Sequence, residues 1–98
     1  MPTTTFKSTL SRKKPPRALQ PALQALWWDA KGDWQRAHEV AQASAEADSA
    51  WVHAYLHRKE GDVANARYWY GRTGKPFPQT SSEQEWEDIL AALLPGRA

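Results

Sequence analysis

The feature that most constrains this chain is a Gly-Asp pair that occurs twice, at Gly32-Asp33 and Gly61-Asp62. Each pair is flanked on both sides by apolar residues at helical spacing. Glycine takes the left-handed conformation that closes a helix, and aspartate caps the next one by accepting a backbone N–H. Each pair therefore predicts the turn of a helical hairpin. An offset of 29 residues superposes the two pairs and also sets Ala25 on Ala54 and Ala37 on Ala66. These positions are the turn, the cap and the helix–helix contacts, where geometry dictates residue type. Such a repeat predicts stacked hairpins.

The helices follow from periodicity. The first is expected over residues 21–31, with Pro21 suited to a first turn and Leu19, Leu23, Leu26 and Trp27 as its apolar stripe. The second, over 34–45, places Trp34, Ala37, Val40 and Ala41 on one face. A third over 50–60 has Asp48 or Ser49 as its cap, and a fourth runs over 63–72. Pro76 and Pro78 make an extended connector. The fifth has caps in Thr80, Ser81 and Ser82, with Ser82/Glu85 or Thr80/Glu83 as capping boxes. Its acids Glu83, Glu85, Glu87 and Asp88 suit the helix dipole, and Trp86, Ile89, Leu90, Leu93 and Leu94 form its stripe. Pro95-Gly96 is expected to close it. No stretch alternates as a strand would. The expectation is an all-α fold of five helices, namely two antiparallel hairpins and a C-terminal capping helix, in a single domain over residues 18–98.

Residues 1–17 lack periodicity and include a Pro pair, which predicts a disordered basic tail. Residues 1–20 carry Lys7, Arg12, Lys13, Lys14 and Arg17 without an acid, so the remainder is net acidic although the whole chain is +2. Basic character therefore concentrates at this end, where it could serve as an arm for nucleic acid. The chain has no cysteine, which excludes disulfides and thiolate metal sites. No apolar run is long enough for a membrane span and no signal-like segment follows Met1, so a cytoplasmic location is the expectation.

The second hairpin resembles the tetratricopeptide repeat, whose pattern is W-x2-L-G-x2-Y, then A-x3-F, then P. Ala54 stands at the small position, Ala66-x3-Tyr70 matches A-x3-F, and Pro78 sits at the closing proline. Ala50, His53 and His57 stand where the pattern has Trp, Leu and Tyr. The 29-residue offset is shorter than the family's period of about 34. The resemblance implies that Trp51, Tyr55 and Arg58 line a concave groove while His53 and His57 face neighbouring helices. The run HAYLHRKEGD over residues 53–62 also resembles a small family of mostly bacterial helical proteins, and that resemblance implies no activity.

Two chemistries follow from these residues. The first is an interaction or ligand-binding surface made of Trp51, His53, Tyr55, His57, Arg58 and Trp69. Its partner would be a protein, a peptide or a small molecule. An excess of aromatics, including Trp27-Trp28 and Tyr68-Trp69-Tyr70, also suggests a homodimer interface. The second is a divalent-metal or histidine-dependent site. His53 and His57 share a helix face, Glu60 continues it, and a third ligand could come from His38, Asp29 or Glu39. No nucleophile motif or phosphate loop is present, so the sequence gives little ground for an enzyme.

Overall fold

The computed structural model describes residues 1–94, which form six α-helices. These are α1 (Thr3–Ser8), α2 (Pro21–Ala30), α3 (Trp34–Gln42), α4 (Ala47–Glu60), α5 (Val63–Thr73) and α6 (Ser82–Leu93). A 3-10 turn, Thr9–Ser11, continues α1. There is no strand among the described residues. The radius of gyration is 12.5 Å, as expected for one close-packed domain of this length.

Both Gly-Asp pairs form the turns that the sequence predicts. Gly32 and Gly61 have φ of +84° and +93°. At each turn the glycine N–H donates to the carbonyl three residues back, and the aspartate N–H to the one five back. Those bonds satisfy the last carbonyls of α2 and α4. Asp33 then accepts the Arg36 N–H at 3.0 Å, and Asp62 accepts that of Asn65 at 3.2 Å. α2 packs on α3, α4 on α5, and α3 on α4. The helix–helix contacts use buried Ala25, Ala37, Ala41, Ala54 and Ala66, whose small side chains permit close approach.

Several expectations require correction. Residues 1–17 are not a featureless tail, because α1 inserts Phe6 fully into the core, edge-on to Trp86. Thr9 is buried with it and accepts the Trp27 indole N–H at 3.0 Å. A six-residue helix with one core aromatic leaves no periodic trace in the sequence. α4 starts at Ala47, so Asp48 and Ser49 lie inside its first turn rather than capping it. α6 is capped by Ser81, one of the three expected caps, which accepts the Gln84 N–H at 3.0 Å, so neither expected capping box forms. Pro95 and Gly96 lie outside the described residues.

α6 packs against both α2 and α4, the first helices of the two hairpins. Its Trp86, Ile89 and Leu90 join Leu23, Leu26 and Trp27 of α2 and Val52, Tyr55 and Leu56 of α4 in the main core. The side of α4 that carries Tyr55 is thus packed against the chain's own last helix. Tyr55 is buried and its hydroxyl donates to Asp29 at 2.6 Å, while Lys59 bonds the other oxygen of that carboxylate. Arg58 donates to Glu85 and to the Thr80 carbonyl. The Trp51 indole N–H donates to Glu85 at 3.2 Å, and Lys75 covers its ring. The surplus of aromatics is absorbed in the same way. Trp27 and Trp86 are buried, the other tryptophans are half-buried, and Tyr68 alone among the described aromatics is well exposed, at 56%.

Candidate metal centre

The three histidines of the chain meet at one point. His53 and His57 lie one turn apart on the inner face of α4. His38 comes from α3, which the close helix contact brings against them. His53 Nε2 is 3.1 Å from His38 Nε2 and 3.1 Å from His57 Nε2. His53 and His57 are 5% and 7% exposed, and His38 is half-buried. The nitrogens of all three lie within 4.8 Å of one another.

Aromatic rings hold the imidazoles in place. Trp34, four residues before His38, stacks on it at 5.0 Å and anchors its own indole N–H to the Leu56 carbonyl. Trp69 of α5 stacks on His53 at 4.0 Å. Glu60 approaches from the other side, with its carboxylate 2.8 Å from His57 Nδ1. That contact fixes the tautomer. Nδ1–H donates to Glu60, and in the neutral ring the Nε2 lone pair is then directed at the cluster.

The trio is not satisfied as a hydrogen-bonded group. Two N···N contacts converge on His53 Nε2, which carries one hydrogen or one lone pair and cannot form two linear bonds. Burial, with the charge of His38 and His57 beside it, pushes the His53 pKa down to about 4. His38 is lowered too, first by burial and then by His57, while Glu60 and Glu39 act against the shift. At neutral pH both imidazoles are therefore uncharged, which is the form that ligates metals. A tetrahedral zinc ion with Zn–N bonds of about 2.0–2.1 Å would separate its nitrogens by about 3.3–3.4 Å. The observed 3.1 Å contacts lie close to that spacing.

His53 and His57 are brought together, His38 is the candidate third ligand that meets them, and the Glu60 carboxylate lies at His57 Nδ1. Asp29 is committed to Tyr55 and Lys59, and Glu39 bonds only to Gln35 among the described residues. The spacing of Trp34 from His38 could have shown the stacked pair in advance. The contact of Trp69 with His53 crosses between helices and had no local signature.

Trp69 also borders a surface concavity of about 400 Å³ lined by Gln42, Ser44, Glu46 and Arg72, outside the histidine cluster. No helix among the described residues is long and apolar enough to cross a membrane. Compared with known proteins, the chain matches no family model, no curated protein and no solved structure.

Proposed function

We propose that the protein binds a divalent transition-metal ion, zinc foremost, through Nε2 of His38, His53 and His57. The observation that carries this reading is the meeting of His38 and His57 Nε2 at His53 Nε2, 3.1 Å from each, where one nitrogen cannot pair with both. Three imidazole ligands suit zinc, and also copper and nickel, better than calcium or magnesium. Glu60 plays the part that outer carboxylates play at such centres, because it orients His57 and raises its basicity. The ion would join α3 to α4 and so clamp the first hairpin to the second, with binding energy that adds to folding energy. Three protein ligands leave one coordination position for water or an external ligand.

The finer architectural reading, two tetratricopeptide-like hairpins with α6 in place of a bound partner, draws support from the repeated Gly-Asp turns and from Ala37 and Ala66 at matching contacts. It gives less support to an interaction surface at Trp51, Tyr55 and Arg58, because those side chains are engaged by Asp29 and Glu85 within the chain.

Titration of chelator-treated protein with zinc, followed by calorimetry, tests the metal reading. One equivalent per chain is expected, with binding lost in His53→Ala and His57→Ala and weakened at least tenfold in His38→Ala. Asp29→Asn, which alters a buried polar group away from the trio, should bind normally. Folded wild-type protein that takes up no zinc would sink the proposal.

A further inference from the structure

The cations among the described residues fall into two groups. Lys7 pairs with Glu87, Arg36 with Asp33, Arg58 with Glu85 and Lys59 with Asp29. Lys31 donates to the Leu10 carbonyl, and Arg72 donates to the Tyr68 hydroxyl. Arg67 lies over Phe77 and Lys75 over Trp51. The remaining described cations are Arg12, Lys13, Lys14 and Arg17. All four are exposed, and none makes an ion pair, a side-chain hydrogen bond or a ring contact with a described residue. Among the described residues, the cations that contact no acid, hydrogen-bond acceptor or ring thus fall together in one six-residue run.

That run is held at both ends. Phe6 and Thr9 are buried before it, and Leu19 is buried after it. Lys31 grips the Leu10 carbonyl at 2.6 Å, and the Leu19 N–H reaches the Pro16 carbonyl at 3.3 Å. Pro15 and Pro16 fix two φ angles in the middle. Much of the ordering entropy that a free basic tail would lose on binding has already been lost in folding.

We propose that residues 12–17 are a docking surface for the phosphodiester backbone of nucleic acid. The run bends at residues 12–14 and turns at 17–18, which gathers its four cations into one compact patch. Phosphates along one strand of a B-form duplex repeat about every 3.4 Å, closely enough to meet such a patch. The segment exposes no aromatic or large apolar side chain. Membrane attachment generally needs such a residue or a second anchor, and protein interfaces centre on side chains that become buried in well-packed pockets, aromatics foremost. A phosphate backbone needs only the charges. Binding should therefore be independent of sequence and of micromolar or weaker strength at physiological salt.

The test is fluorescence anisotropy of the full chain with a labelled 20-base-pair DNA duplex and a 20-nucleotide single-stranded RNA, each over about 50–200 mM salt. For the duplex, log K against log salt should fall with a slope of about −3 to −4, as four released counterions require. Arg12→Gln/Lys13→Gln/Lys14→Gln/Arg17→Gln should keep the wild-type circular dichroism and melting curve and lose at least tenfold in affinity. Arg67→Gln, outside the run, should bind as the wild type does. The RNA arm decides which nucleic acid is preferred. No binding at 50 mM salt would overturn the proposal, as would undiminished binding by the quadruple variant. Tighter binding to vesicles of phosphatidylserine and phosphatidylcholine than to the duplex would overturn it too.

Discussion

Two kinds of buried polar cluster sit on α4, and they differ in how completely they are satisfied. On one side Glu85, 3% exposed, receives both Oε contacts of the Tyr70 hydroxyl, the Trp51 indole N–H and the Arg58 guanidinium. Asp29 likewise receives Tyr55 and Lys59. Each acceptor there has its donors, and the groups crowd so closely that burial and the adjacent carboxylates drive both tyrosine hydroxyls far above their ordinary pKa. On the other side three imidazole nitrogens face one another without a matching set of donors. A saturated cluster has no capacity left for a ligand and serves as scaffold. An unsaturated one, held rigid by Trp34, Trp69 and Glu60, has an unmet requirement that a cation would meet.

The largest expected effect tests the saturated side. Glu85→Ala leaves Arg58 and the Tyr70 hydroxyl without their shared acceptor, and Arg58 is mostly buried. Breaking such a pair by removing one partner costs about 3–5 kcal/mol. Urea unfolding should show that loss. Zinc affinity, measured where the variant remains folded, should stay within a few-fold of wild type. A mild stability change, or a collapse of zinc binding in folded protein, would mean that the two clusters are not independent.

The second effect concerns protons at the unsatisfied cluster. His53 is held near pKa 4 in the folded chain and rises to about 6.5 when unfolded. Between those values the unfolded chain binds more protons, so stability rises with pH across the window. In metal-free protein the contribution is complete above about pH 6.5 and is lost as pH falls toward 4, at a cost on the order of 3 kcal/mol. His38 shifts in the same direction. Denaturation at neutral and mildly acidic pH should show the decline in the wild type and a shallower one in His53→Asn. Equal declines in the two proteins would place the pH dependence elsewhere.

The difference between these clusters also shows how much the sequence could reveal. The hairpins were legible because Gly32-Asp33 and Gly61-Asp62 are local signals, and the apolar stripes of α2, α3 and α6 point to the core as expected. The burial of Glu85 was not legible. An acid in the first turn of a helix reads as a favourable exposed charge, and only the packing of α6 on α4 turns it toward Arg58. Phe6 was missed because one aromatic among threonines carries no period. At the site, His53, His57 and Glu60 were visible from spacing along one helix. The choice of His38 over Asp29 and Glu39 depended on how α3 meets α4, which is long-range information.

The smallest expected effect separates a ligand from its support. If Glu60 works behind His57, Glu60→Gln keeps a neutral hydrogen-bond partner for Nδ1 and leaves all three Nε2 atoms in place. Zinc affinity should then fall by about 10- to 100-fold, the usual cost of losing an outer carboxylate. The stoichiometry should stay at one ion per chain. Glu60 is exposed and its hydrogen bond with His57 contributes little to folding, so the melting temperature without zinc should move only slightly. Direct ligation by Glu60 would instead abolish tight binding in Glu60→Gln while leaving it largely intact in His38→Ala. The two variants therefore give opposite rankings for the two arrangements, and one pair of titrations decides between them.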